Sequence, residues 1–261
     1  MAAVTLVVLA GGKSTRFGRP KQLEPVGPNS EAILDFTLQN AFRAGSSGAT
    51  IVVRLEHEAT FADRYANEPR VQLVMQHEAL GTAHAVMLAV ELARGTVVIA
   101  NGDDHYGEGS MRMALHHAIH GDAEEHALVS FRLENTLSPS GPVNRALCAV
   151  DENGFLLSAE EVKGLRARTS RRITDADGLD RDADALVSMN LWVLRPSVFR
   201  LFAGLFDASE RRGEEFGLPD VVRQAVALGH RFRALRTEDT WCGLTYPDDA
   251  ELVRRTLSAR T

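Results

Sequence analysis

VTLVVLAGGKSTRFGRPKQL, residues 4–23, sets a short apolar run directly against two glycines, two hydroxyl residues and a group of cations. Val4 to Ala10 is too short for a buried helix and rich in valine, and it reads as a strand covered on both faces. A Walker-type phosphate loop needs a glycine five places before the Gly12-Lys13-Ser14 run. That place is Val7, inside the strand, so the Walker reading fails. A different phosphate device remains. Consecutive glycines let backbone N–H groups close around phosphate oxygens where a side chain would block the approach. Arg16 and Lys21 add the charge that a triphosphate or a departing pyrophosphate requires. An ordinary surface loop with cations fits the same letters, and the glycine pair alone decides nothing.

Outward from this stretch, residues 49–55 (ATIVVRL), 71–75 (VQLVM) and 96–101 (TVVIAN) repeat the buried-strand pattern. Ile33–Ala44, Thr60–Ala66 and Thr82–Ala93 carry apolar residues near helical spacing. The alternation predicts an α/β fold, a Rossmann-like, mostly parallel sheet with helices on both faces. Ligands in such sheets sit at the carboxyl ends of the strands, here AGGKSTR after the first and NGDDHYG after the fourth. The second half is less regular. Residues 123–133 and 144–162 suggest strands, the latter around a hairpin tip at Glu152-Asn153-Gly154. Gly164 to Ala185 passes from a basic run to an acidic one and reads as a mobile surface segment or a solvated loop. Residues 185–194 predict a strand, 218–228 a helix and Pro247–Leu257 a closing helix. The expected organisation is a single domain over 1–261, with a nucleotide-binding half (1–125) and an acceptor-binding half with a smaller β-rich part (126–261).

Composition narrows the function. The 261 residues carry a net charge of -6, against the basic surface that broad nucleic-acid binding wants. No apolar run reaches membrane-span length, and the N-terminus lacks a signal-peptide pattern. Cys148 and Cys242 stand far apart in no metal-like spacing, which leads us to expect free thiols in a cytoplasmic protein with neither nucleic-acid nor membrane partners.

Asp103 and Asp104 fall at a strand end, where a carboxylate faces the crevice. Magnesium takes hard oxygen ligands, usually one or two carboxylates with phosphate and water. Asp103 is the candidate ligand and Asp104 the weaker one, since neighbours on a strand point to opposite faces. A turn aspartate near Gly107 is the plain alternative. Gln76 offers an amide that can read a base edge, and Gly81-Thr82 stand at a helix start that could equally be only a cap. His116, His117 and His120 lack an accompanying carboxylate motif and read as a partly exposed helix face. Trp192 and Trp241 read as packing residues.

Taken together, these stretches resemble the sugar-1-phosphate nucleotidyltransferases, whose opening signature is approximately L-A-G-G-x-G/S-T-R-x-x-x-x-P-K. Here it reads Leu9, Ala10, Gly11, Gly12, Ser14, Thr15, Arg16, Pro20, Lys21, with fewer residues between arginine and proline than in many members. Gln76 and Gly81-Thr82-Ala83-His84-Ala85 are similar to the base-contacting Q-x-x-x-x-G-T-A-H-A segment of uridylyltransferases, and Gly102-Asp103 to the family's metal aspartate. The likeness continues through Gly141, Glu161-Val162-Lys163, Asn190 and residues 241–249, and so spans most of the chain.

The resemblance implies a GT-A-like nucleotidyltransferase fold and Mg2+-dependent transfer of a nucleotide from an NTP to a sugar 1-phosphate or similar phosphate monoester. Leu9 to Thr15, including Lys13, with Arg16 and Lys21, would hold the triphosphate. Gln76, Gly81 and Thr82 would hold the base, Asp103 the metal, and Asp104, Gly141, Glu161, Lys163 and Asn190 the acceptor. One departure stands out. Many relatives carry W-x-D-x-G-T near the end, with the aspartate as second metal ligand, and here Gly243 takes that place. Asn190, Asp239 or Asp248 would have to substitute, or one protein ligand would suffice. Three other readings stay open: a molybdenum-cofactor-type guanylyl- or cytidylyltransferase, a GT-A glycosyltransferase, and a non-catalytic nucleotide-sugar-binding protein.

Overall fold

The structure is a computed structural model, and it describes residues 3–12, 20–93, 95–169, 172–213, 215–246 and 248–258, save the side chains of 210–212 and 258. The chain runs β1 (Val4–Leu9), α1 (Ile33–Arg43), β2 (Gly48–Arg54), α2 (Glu58–Tyr65), β3 (Val71–Gln76), α3 (Thr82–Val90), β4 (Thr96–Asn101) and β5 (Asp104–His105). It continues through α4 (Glu108–His120), β6 (Glu125–Arg132), β7 (Val143–Val150), β8 (Leu156–Thr169), β9 (Arg172–Thr174), β10 (Asp180–Arg181) and β11 (Leu186–Leu194). Then follow α5 (Arg200–Arg212), α6 (Leu218–Ala227), β12 (Arg231–Arg236), β13 (Cys242–Gly243) and α7 (Asp249–Ser258).

The parallel part of the sheet is β3-β2-β1-β4, and from β4 the sheet continues antiparallel through β11, β7, β8, β9 and β10. β11 is where the sheet divides. One of its edges pairs with β6, while residues 187–188 pair with β7 and residues 192–194 with β4. β12 lies parallel to β6.

The period-2 alternation of β1 explains its uninterrupted apolar letters. Leu6 and Val8 enter one core with Leu34, Phe61 and Met111 from α1, α2 and α4. Val7 and Leu9 enter a second core on the opposite face with Val86, Phe202 and Val221 from α3, α5 and α6. β4 divides likewise, Val98 and Ala100 to one side and Val97 and Ile99 to the other. A strand buried on both faces can carry no polar alternation. Among the described residues no helix is long and apolar enough to cross a membrane.

The hairpin tip expected at residues 152–154 lies between β7 and β8, closed by Asp151, whose carboxylate accepts from the Asn153 and Phe155 N–H groups. The described residues of 164–185 are largely on the surface, as expected, but carry strand pairing in place of an open loop. They extend β8 into an antiparallel arm with β9 and β10, and the Asp175 carboxylate ties the β9–β10 turn by pairing with Arg181 and accepting from the Leu179 N–H. Neighbouring charges in sequence become partners across the arm, so they need no solvent-exposed coil.

Candidate active site

Two adjoining cavities open at the carboxyl ends of the parallel strands. The smaller, about 280 Å³, is lined by Leu9, Gly11, Gly12, Gln76, Ala79, Gly81, Thr82, Ala85 and Glu215. Ala10 instead turns into the core. Lys13, Ser14, Thr15 and Arg16 lie outside the described residues. Gly81 is confined to glycine for two reasons. Its φ is +110°, and a Cβ there would lie 2.2 Å from the Phe216 carbonyl oxygen. The segment before α6 is zipped onto the start of α3: Phe216 N–H donates to Leu80 O at 2.8 Å, Ala83 N–H to Phe216 O at 3.0 Å, and Leu218 N–H to the Thr82 hydroxyl at 2.9 Å.

Gln76 is buried, and its amide orientation is set by chemistry. Nε2 faces the Gly81 carbonyl at 3.1 Å, which can only accept, and His84 Nδ1 at 3.1 Å. The His84 ring stacks on Phe206 at 5.2 Å. With both amide hydrogens directed there, Oε1 faces the cradle, 2.6 Å from where a Gly11 Cβ would be. The group offered to the smaller cavity is therefore an acceptor, suited to an N–H donor.

The larger cavity, about 830 Å³, shares Thr82 and Glu215 with the smaller one. Asp103, Asp104, Glu161 and Asn190 line it. Asn190 sits at the irregularity where β11 leaves one β6 register for another, at φ +61°, a region its short amide side chain tolerates. The Trp192 indole N–H donates to its Oδ1 at 3.3 Å. Gly141 and Lys163 are placed elsewhere. Gly141 packs against the Tyr246 phenol, and exposed Lys163 lies where an irregularity in the β7–β8 pairing interrupts alternation.

Asp103 Oδ2 pairs with the Lys21 ammonium, and Lys21 also donates to Leu244 O at 3.1 Å. Both side chains keep about a fifth of their surface exposed, 20% and 21%. Gly102 and Asp103 form a turn after β4, so Asp103 and Asp104 escape strict alternation and reach the same cavity. Asp104 is buried, its Oδ2 accepting from Asn101 Nδ2 at 2.9 Å and from the Tyr106 hydroxyl at 3.3 Å. Burial first, and then the Asp103 charge, raise its pKa well above the usual carboxylate range. Of the tail carboxylates, Asp239 is spent at the start of α4, accepting from the Ser110 N–H at 2.7 Å, and Asp248 is exposed.

Several cavity residues have no signal in the sequence. Arg145 is buried, donates to the Thr136 and Asn144 carbonyls, and lies 4.7 Å over the Trp241 ring. Burial lowers its pKa to about 10. Asp220 and Arg223 come from α6, where their letters look like an ordinary solvated i,i+3 pair. Glu215 bridges the cavities from an irregular segment. Trp192 and Trp241 are both buried, as packing residues are, and both also line the larger cavity. The α4 histidines divide: His117 is buried against the Glu125 carbonyl, while His116 and His120 face out. Among the described residues no three His, Cys, Asp or Glu side chains converge as a metal cluster.

Residues 5–141, just over half of the chain, match the family model described as nucleotidyl transferase. The chain belongs to the nucleotidyl transferase family. Among curated proteins it is 34% identical over 267 residues to the bifunctional protein GlmU of Pelobacter propionicus, covering 97% of this chain and 52% of that protein. It is 40% identical over 102 residues to the GlmU of Nitrobacter hamburgensis, covering 37% of this chain and 22% of that one. The chain thus spans about half, or less, of the length of these relatives. The inositol-1-phosphate CTP transferase of T. maritima superposes with a TM-score of 0.71 at 15% identity, covering 99% of this chain and 97% of that one. A candidate glucose-1-phosphate thymidylyltransferase of Bacillus anthracis gives 0.74 at 13%, covering 98% and 95%. These likenesses establish the mixed-sheet, GT-A-like nucleotidyltransferase fold with its β-rich region.

Proposed function

We propose that the protein transfers a nucleotide from an NTP to a sugar 1-phosphate or a closely similar phosphate monoester, giving a nucleoside diphosphate derivative and pyrophosphate. The observation that carries this reading is the pair of adjoining cavities sharing Thr82 and Glu215, with Asp103 and the Lys21 ammonium beside them. One cavity has the size and the amide acceptor for a base, the other the volume and polar walls for a hydroxylated acceptor.

An oxygen of the acceptor phosphate attacks the α-phosphorus of the NTP. A bond forms to that oxygen while the bond from the α-phosphorus to the bridging oxygen breaks, and pyrophosphate leaves with the electron pair. The phosphate is already anionic at neutral pH, so no side chain need remove a proton. Alignment and charge neutralisation supply the catalysis. Lys21 would meet the triphosphate, a reading supported by its pairing with Asp103 at the cavity. Gln76 Oε1 orients the base; Glu161 and Asn190 face the acceptor's hydroxyls.

The donor set suits magnesium, which needs only one or two carboxylates when phosphate oxygens and water complete the shell. Asp103 would hold the ion, which would neutralise charge on the triphosphate and the leaving pyrophosphate. Pyrophosphate release measured with Mg2+, each NTP in turn, and a panel of sugar and polyol phosphates tests the reading. Release requiring both substrates supports it and names the pair. Nucleotide binding without release, or release of a nucleoside diphosphate from a nucleotide sugar, would replace it with a binding protein or a glycosyltransferase.

A further inference from the structure

β5 and β13 form a two-residue antiparallel pair in which Asp104 stands directly opposite Gly243. Residues opposite one another in an antiparallel pair direct their side chains to the same face and compete for the same volume. Here the competition is already decided. A Cβ on Gly243 would fall 2.5 Å from Asp104 Oδ1 and 2.4 Å from Trp241 Cζ2, closer than carbon atoms pack against either. The glycine is what makes room for the Asp104 carboxylate.

That carboxylate is only half satisfied. Oδ2 takes donors from Asn101 and Tyr106, whereas no described donor reaches Oδ1. Asp104 is 5% exposed and lines the larger cavity beside Asp103. Lys21 pairs with Asp103 rather than with Asp104, and the Arg145 guanidinium is held by backbone carbonyls. A buried carboxylate with one oxygen anchored by neutral donors and the other unpartnered costs free energy in its charged form unless a cation joins it, the alternative being a proton.

On the nucleotidyl-transfer reading given above, we infer that Asp103 and Asp104 together hold the divalent cation, and that Gly243 permits this by leaving its side-chain space to Asp104. The second carboxylate, carried by the tail strand in the W-x-D-x-G-T pattern, is carried here by the strand facing it. The anchored Oδ2 fixes the carboxylate plane, and Oδ1 is the atom presented to the ion.

The test is Mn2+ binding, with pyrophosphate present, followed by electron paramagnetic resonance and calorimetry and requiring no turnover. Asp104→Asn is close to isosteric and should weaken Mn2+ binding by at least the roughly 10–100-fold that loss of even an outer-sphere partner costs. Gly243→Ala should produce a similar loss with Asp104 intact, by displacing its carboxylate. Asp104→Ser removes the carboxylate with a smaller side chain that does not crowd Gly243, should show the same loss, and keeps the test decisive should another variant fold poorly. Asp104→Asn binding Mn2+ like the unaltered protein while Asp103→Asn does not would overturn the inference, as would absence of Mn2+ binding by the unaltered protein. Mn2+ binding sensitive to Asp104 but no pyrophosphate release with any substrate pair would sink the transfer reading and leave this assignment standing.

Discussion

Lys21 and Asp103 pair with each other, whereas Gln76 is held by Gly81 and His84, so their replacement separates charge neutralisation from base reading. Lys21→Ala removes the ammonium beside Asp103, and Asp103→Asn removes the carboxylate that positions it. Each should lower turnover by roughly 10²–10³ in steady-state pyrophosphate-release assays. A well-folded variant with near-normal kcat would remove that residue from the chemistry. Gln76→Ala should act differently. Both its amide hydrogens are directed to Gly81 and His84, leaving Oε1 for the ligand, so its loss should flatten the ranking of the NTPs by kcat/KM more than it slows the best one. An unchanged ranking would place the base elsewhere. Gln76 and Asp103 were legible as candidates because strand-end position needs only local periodicity. The direction of the Gln76 amide was not, because it depends on a carbonyl and an imidazole presented by the following helix.

At the scale of elements, α3 is held to the segment before α6 through Gly81, whose positive φ and close approach to Phe216 forbid any side chain. Gly81→Ala should therefore destabilise the fold by roughly 2–4 kcal/mol, from backbone strain and overpacking together. Urea denaturation would measure it, and a loss below about 0.5 kcal/mol, the ordinary range for a neutral surface change, would contradict the packing described. The parallel strands and their helices were readable because an uninterrupted valine-rich run between helical periods has one economical home, a sheet covered on both faces. β12 and α5 were not. Residues 231–236 mix arginine with apolar residues and become a strand through parallel pairing with β6, and α5 follows directly on a short 3-10 turn, residues 196–199, that blurs its start. The arm built from β8, β9 and β10 was likewise hidden, since charge blocks read as coil until their partners across the arm are known.

Across the whole molecule, β6, β11 and β12 meet at a buried polar junction. Arg195 donates to the Glu125, Ala118 and His117 carbonyls, and its backbone N–H donates to His126 Nδ1 at 3.0 Å. His126 Nε2 faces His230 Nδ1 at 3.1 Å. Burial, with the nearby His230 and Arg195, depresses the His126 pKa from 6.5 to about 4. The folded state thus resists a proton that the unfolded chain accepts. Stability from this group is fully present above pH 6.5, falls as pH drops through the window down to about 4, and is lost below it. The integrated effect is on the order of 3 kcal/mol. Histidine ring resonances followed by NMR should show His126 neutral at pH 5, and a ring already charged there would refute the account.

The two-sided parallel sheet, the glycines at its first strand end and the aspartates at its fourth follow from the periodicity and conformational demands of a few consecutive residues. Tertiary structure alone decided that Asp104 takes the space opposite Gly243, that Arg145 lies buried over Trp241, and that Glu215 joins the two cavities. These pairings join parts of the chain far apart in sequence. They are set by strand register and by competition for volume, neither of which exists until the sheet has closed.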